Sequence, residues 1–242
     1  MGVDKEVPSF LFQCVETSTE QPFRTVLFDL DGTLVDQFRV IYEAYAHAMA
    51  ELELPPVTYE QVRGAVGGSI VITFGKLVPA EYVDKAVAIF REEFNRIWDR
   101  QIDVLPGVVD TLKALKAQGC QLAVFTNKDG DVARKVVAKA GLSEWVDGVF
   151  GTLDTPWRKP DAEFTHHVMR SLNADCAHTC MIGDSPYDAA AAANGGIPCY
   201  TVATGSHSVE QLREECPDAP AYPDMSTLAA DVFDLKPQTL IP

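Results

Sequence analysis

Residues 28–36 read Phe-Asp-Leu-Asp-Gly-Thr-Leu-Val-Asp, directly after the apolar pair Val26-Leu27. In an extended chain successive side chains alternate, so Asp29 and Asp31 point the same way. Two like charges held that close repel unless something positive sits between them or one takes a proton. One reading is an acidic turn that caps the next helix. The other is a metal-assisted active site at the end of a buried strand. The choice turns on whether the rest of the chain supplies positive charge.

Working outward, short apolar runs recur at 26–28, 122–125, 149–150, 180–182 and 198–202. Between most of them lie helical patterns, at 108–118, 131–140, 162–172 and 187–193. Strands alternating with helices predict parallel βαβ units, hence an α/β fold with a Rossmann-like, doubly wound parallel sheet. Residues 37–102 break the alternation. Val40, Ile41, Ala44, Tyr45, Ala48, Met49 and Leu52 recur at helical spacing until Pro55-Pro56, and Thr58 with Gln61 has the form of a capping box. Pro79 opens a long helix to about Arg100, with Val83, Val87, Phe90, Phe94 and Ile97 on one face. The expected organisation is therefore an N-terminal extension (1–22), an α/β core (23–36 and 103–242) and an inserted small helical domain (37–102).

The chain has 242 residues, 47% hydrophobic and 23% charged, which suits a globular protein with a sizeable core. Its net charge of -15 argues against nucleic acid as a partner. The same charge repels an anionic substrate at long range, so any phosphate site must be locally positive. No run approaches the ~20 apolar residues of a membrane span. The start of the chain, acidic with only a short apolar patch, is a poor signal peptide, so the expected location is the cytoplasm. The six cysteines are expected to be reduced, mostly buried thiols. No apolar stripe marks a subunit interface, which leaves the oligomeric state open.

Open α/β sheets bind ligands at the carboxyl ends of their strands. Those ends carry Asp29 and Asp31, then Thr126-Asn127-Lys128, then Lys159-Pro160, then Asp184 and Asp188 within Gly183–Asp188. Singly, each has a plainer explanation. Thr126-Asn127 is a helix N-cap signal, Lys159 a solvated lysine, Asp184 a loop carboxylate and Asp188 a first-turn acid. Four polar sets, each at the right end of its own strand, carry more weight together. The adjacent His166 and His167 point apart on a helix and are not read as a metal site.

The combination resembles the haloacid dehalogenase superfamily from Thr25 onward, through F-D-L-D-G-T-L-V-D, T-N-K, K-P and G-D-S-P-Y-D. The insertion after the first motif is similar to the helical cap of the phosphoglycolate phosphatase and β-phosphoglucomutase branch. The later stretch T-G-S-H-S-V-E-Q-L resembles the segment that follows the last motif in phosphoglycolate phosphatase-like members. The resemblance implies Mg²⁺-dependent hydrolysis of a small phosphomonoester, a small-molecule phosphate ester such as phosphoglycolate. It implies Asp29 as nucleophile forming an aspartyl phosphate, and Asp31 as the acid and base that begins protonated. The metal would be held by Asp29, the backbone carbonyl of Asp31, Asp184 and water, with Asp188 orienting Lys159 or a metal-bound water. Thr126, Lys159 and backbone amides near Asn127 would hold the phosphoryl oxygens. An acid at position 31 favours phosphate-ester chemistry over the dehalogenase and phosphonate-cleaving branches.

Substrate choice is expected from the insert, because the core meets only the phosphoryl group. Arg63 and Lys76, with a Gly67-Gly68-Ser69 loop, are the candidate contacts, against a solvated helix face for both cations. The main rival is a β-phosphoglucomutase-like mutase, which shares the core motifs and needs a bisphosphate activator. A non-catalytic regulatory protein has no evident need for Asp29, Asp31, Thr126, Lys159 and Asp184 together.

Overall fold

The computed structural model describes residues 23–235. The first strand, β1 (Thr25–Phe28), is buried throughout and pairs in parallel with a neighbour on each side, which explains its unbroken apolar sequence. A two-residue strand β2 (Val35–Asp36) follows, then helices α1 (Phe38–Glu51), α2 (Tyr59–Ala65), α3 (Ile70–Leu77) and α4 (Val83–Ile97). β3 (Asp103–Val104) then pairs antiparallel with β2, Val35 opposite Val104. The chain continues through α5 (Val108–Ala117), β4 (Gln121–Asp129), α6 (Gly130–Lys139) and β5 (Gly148–Thr152). It goes on through α7 (Ala162–Leu172), β6 (Thr179–Gly183), α8 (Pro186–Gly195) and β7 (Cys199–Val202). It closes with α9 (Val209–Glu215), β8 (Ala221–Tyr222) and α10 (Met225–Phe233).

The main sheet is parallel, in the order β5-β4-β1-β6-β7-β8. From β1 it grows outward through β4 and β5, then resumes on the other side of β1 with β6. That reversal opens a crevice at the carboxyl end of β1. Alternation sends Val26, Phe28, Val124 and Ile182 to one face, where α5, α6 and α10 pack. Leu27, Ala123, Phe125 and Met181 go to the other, under α7 and α8. Each face is covered, so the sheet's central strands read as continuous apolar runs.

Helices α1 to α4 stand between the short strands β2 and β3. Their packing is aromatic: the Tyr45 ring lies 4.5 Å from both Phe74 and Phe90, and Phe90 stacks on Phe94 at 5.4 Å. Thr58 and Gln61 form the expected capping box at the start of α2. The long helix opened by Pro79 begins as a single 3₁₀ turn (Ala80–Tyr82) and ends at Ile97, short of Arg100.

Two further differences from the sequence reading have physical reasons. β4 runs to Asp129 instead of stopping at Phe125, with a register shift against β5 that keeps polar residues on the strand. Thr126 and Asn127 are therefore strand residues, and the N-cap position of α6 falls to Asp129. The elements β8, α9 and α10 carry too few periodic residues to be foreseen, although Ser208 and Gln211 cap α9 reciprocally. Among the described residues five cysteines are free, and all but Cys176 are buried. Burial lifts the Cys180 and Cys199 thiols well above the usual range, as expected of inert core thiols. His166 is exposed while His167 packs near Trp157. Cys14 and the expectations for residues 1–22 lie outside the described residues. No helix among the described residues is long and apolar enough to cross a membrane.

Candidate active site

Asp29 follows β1 directly, and its N–H still donates to Ile182 O (2.9 Å), so the carboxylate is launched from the end of the sheet ladder. The side chain is buried, and Oδ1 accepts from Lys159 Nζ at 2.8 Å. Oδ2 accepts no hydrogen bond from the described residues. One oxygen is thus held and the other left for chemistry.

Lys159 is 1% exposed, far from the solvated lysine of the plainer reading. Its ammonium reaches three acceptors: Asp29 Oδ1, Phe125 O (3.0 Å) and Asp188 Oδ1 (2.5 Å). Burial pulls its pKa down, but Asp188 and Asp29 outweigh that and hold it above the ordinary lysine value. The loop before α7 is fixed by Asn127, whose amide donates to Lys159 O (3.1 Å) and Gly67 O (3.0 Å) and accepts from Lys159 N (2.8 Å). The Asn127 side chain is therefore committed to backbone partners. What it leaves for a ligand is the main chain beside it.

Asp188 is fully buried. Besides Lys159 it accepts from Ser185 N (3.0 Å) and Ser185 Oγ (2.7 Å), closing the capping box of α8. Asp184 accepts from Ser206 N and Ser206 Oγ, both 2.8 Å, and from Thr33 Oγ1 (3.4 Å). The backbone opposite must come very close. A Cβ on Gly32, at φ +91, would meet Gly205 Cα at 2.7 Å and the Asp184 carboxyl at 2.8 Å. Asp29, Asp184 and Asp188 bring carboxylate oxygens within 4.8 Å of one another. Burial, then Asp188 and Asp29, push the Asp184 pKa well above the carboxylate range. Burial also lifts Asp188 against the pull of Lys159. Three buried carboxyls beside one ammonium are short of positive charge, and hard oxygen donors suit a divalent cation. The Asp188 oxygens are taken by Lys159 and Ser185, so Asp29 and Asp184 are the donors with capacity to spare.

Asp31 lies outside that cluster. Both its oxygens accept from Lys128 Nζ (2.8 and 3.1 Å), and the same ammonium donates to Gln37 Oε1 (2.9 Å) and lies 4.6 Å from the Phe94 ring centre. Gln37 in turn donates to Trp98 O at the end of α4. Burial raises the Asp31 pKa and Lys128 works against it, with burial the larger effect. Thr126 Oγ1 accepts from Lys128 N (3.2 Å), which leaves its own hydroxyl proton free to donate.

A half-open cavity of about 70 Å³ spans these groups. Against the roughly 10–15 Å³ that one water needs, it has room for a small ligand. Its floor includes Asp29, Asp31, Thr126 and Lys128; its other walls are Ile41, Tyr45, Phe90 and Phe94 of the helical insert, with Arg91 and Asn95. Arg63 and Lys76 are not among the lining residues. Arg63 instead donates to Gly205 O (2.9 Å) and covers the Phe38 ring, while Lys76 lies over Tyr187. Both tie the insert to the core.

Sequence reasoning missed Lys128, Arg91, Gln37 and Ser206 as site residues. Lys128 stood inside the T-N-K motif and Ser206 inside T-G-S-H-S, so their signals were in view. Arg91 was detectable only as the cation beside Phe90 and one turn from Val87 and Phe94 on the buried face of α4. Nothing in the sequence marks Gln37.

Residues 26–202 match the sequence profile of haloacid dehalogenase-like hydrolases. A phosphoglycolate phosphatase of Cupriavidus necator is 35% identical over 190 residues, covering 76% of this chain and 82% of that protein. A pyrophosphatase of Halalkalibacterium halodurans is 29% identical over 194 residues, covering 80% and 90%. Among solved structures, a haloacid dehalogenase-like hydrolase of Streptococcus pneumoniae superposes with a TM-score of 0.77 at 25% identity, covering 86% and 98%.

Proposed function

The chain belongs to the haloacid dehalogenase-like hydrolases, and from that premise we propose that it is a magnesium-dependent phosphatase of small phosphomonoesters. Phosphoglycolate is the first candidate substrate, after the relative in Cupriavidus necator. The observation that carries the reading is the pairing of a half-free nucleophile with a charge-deficient acid cluster. Asp29 has one oxygen pinned by Lys159 and one unbonded, and Asp184 and Asp188 crowd beside it.

Asp29 and Asp184 would hold the cation, which would supply the positive charge that lets both ionise and draws charge from the phosphoryl oxygens. Asp29 Oδ2 attacks phosphorus, and the bond to the ester oxygen breaks with its electrons on that oxygen. In this reading Asp31 begins protonated, a state that burial favours and Lys128 opposes, and gives its proton to the leaving alkoxide. It then takes a proton from the water that cleaves the aspartyl phosphate, restoring Asp29 and releasing phosphate. Lys159 and the Thr126 hydroxyl stabilise the charge spread over the transferring group. Asp188 keeps Lys159 aimed, and Asn127 fixes the loop that carries it. The insert walls the cavity with aromatic rings, which limits water and alcohol size.

Phosphate release from a panel of phosphomonoesters and pyrophosphate, with and without Mg²⁺, tests the reading. Mg²⁺-dependent release from one small ester supports it. Phosphoryl exchange between sugar phosphates with no net release, dependent on a bisphosphate, would replace it with a mutase.

A further inference from the structure

The cavity has two cations on its walls, and they are not equivalent. The Lys128 ammonium has three donors and three acceptors within 3.1 Å, two on Asp31 and one on Gln37, so it is saturated. Arg91 meets Asp129 through Nε (2.9 Å) and Nη2 (3.3 Å). A guanidinium carries five N–H donors, so three remain unspent. Asp129 is itself braced by the Thr152 hydroxyl at 3.2 Å, and so holds the guanidinium in place. One turn along α4, Asn95 lines the same cavity, and its amide makes no hydrogen bond among the described residues.

We propose that Arg91, held by Asp129, reads a carboxylate on the alcohol half of the substrate, so that the enzyme selects compact phosphomonoesters bearing one. The inference rests on the phosphatase reading and adds the group that sets its specificity. A planar fork with donors to spare matches a carboxylate bidentately, which a point charge such as Lys128 does not. The chain's charge of -15 repels a substrate with an extra anion, so selecting one calls for an unspent cation inside the cavity. Among the lining residues Arg91 alone provides it.

The test compares phosphoglycolate with 2-hydroxyethyl phosphate, which keeps the length and loses the charge, for the wild type, Arg91→Met and Arg91→Lys. The melting temperature of each variant, against the wild type, reports that it is folded. The ratio of kcat/KM values, carboxylated over neutral, should fall about 10- to 100-fold in Arg91→Met, mainly through KM, as expected for a lost charged hydrogen bond. Arg91→Lys should recover part of it, keeping the charge without the fork. An unchanged ratio in Arg91→Met, or equal loss on both esters, overturns the inference and leaves the phosphatase reading standing. A wild type that hydrolyses the neutral ester or pyrophosphate but not phosphoglycolate does the same. A wild type that hydrolyses no ester at all removes both.

Discussion

The floor and the roof of the cavity are built on different terms. On the floor, Asp29 and the Lys159, Asp184 and Asp188 side chains packed beside it are all at most 5% exposed, and nearly every polar atom is spoken for. On the roof, the insert offers packed aromatic rings and a half-exposed arginine with donors to spare. The floor is organised around Lys159: remove that ammonium and Asp29 and Asp188 are stranded in a dry site. The roof is held by apolar packing and can change its polar groups one at a time. That contrast suits fixed phosphoryl chemistry below and adjustable alcohol recognition above.

The sharpest way to break the contrast is Asp29→Asn. Turnover should fall by at least about 10⁴-fold, the scale of losing a nucleophile, while the melting temperature stays near wild type because Asp188 and Phe125 O still hold Lys159. Substantial residual turnover would remove Asp29 from the nucleophile's role. Lys159→Met should cost about 3–5 kcal/mol in urea unfolding, because Asp29 and Asp188 lose their shared counter-charge. An unchanged midpoint would mean that the floor is not a charge-coupled set. Asp184→Asn should raise the half-saturating Mg²⁺ concentration by at least about 10–100-fold, the range already seen for weaker perturbations around a metal.

The raised carboxyl pKa values give the floor a pH signature. In metal-free protein Asp184, its pKa pushed up to about 8 by burial and the neighbouring Asp188 and Asp29, keeps a proton that the unfolded chain has already lost. The folded state then binds more protons than the unfolded one, so stability falls as pH rises. The chelated protein should melt lower at about pH 8 than at about pH 5, and added Mg²⁺ should stabilise more at the higher pH. A cation effect independent of pH would contradict this. The roof supplies the smallest effect. Thr58→Ala removes an exposed cap of α2 and should cost about 0.5–2 kcal/mol with kcat unchanged.

The same division explains what the sequence revealed. The floor was legible because strand ends in a parallel sheet converge, so Asp29, Thr126, Lys159 and Asp184 fell together once the strands were recognised. Lys159 read singly as a surface lysine, since only three-dimensional pairing shows how a buried ammonium is satisfied. On the roof, periodicity gave the helices and their buried stripe but not which polar margin faced the cavity. Arg63 and Lys76 stand out in the sequence as cations near the glycine loop, with a solvated helix face as the rival reading. Arg91 lines the cavity through its ion pair with Asp129 at the end of β4, a tertiary pairing with no local signature.

The proposed mechanism turns on Asp29, which carries the phosphoryl group between ester and water. Acid quenching the enzyme during turnover, then peptide mass analysis, tests it directly. The expected result is one added phosphoryl group on the peptide containing Asp29, dependent on Mg²⁺ and absent in Asp29→Asn. Rapid phosphate release with no such adduct at any quench time, or an adduct on another residue, would contradict it.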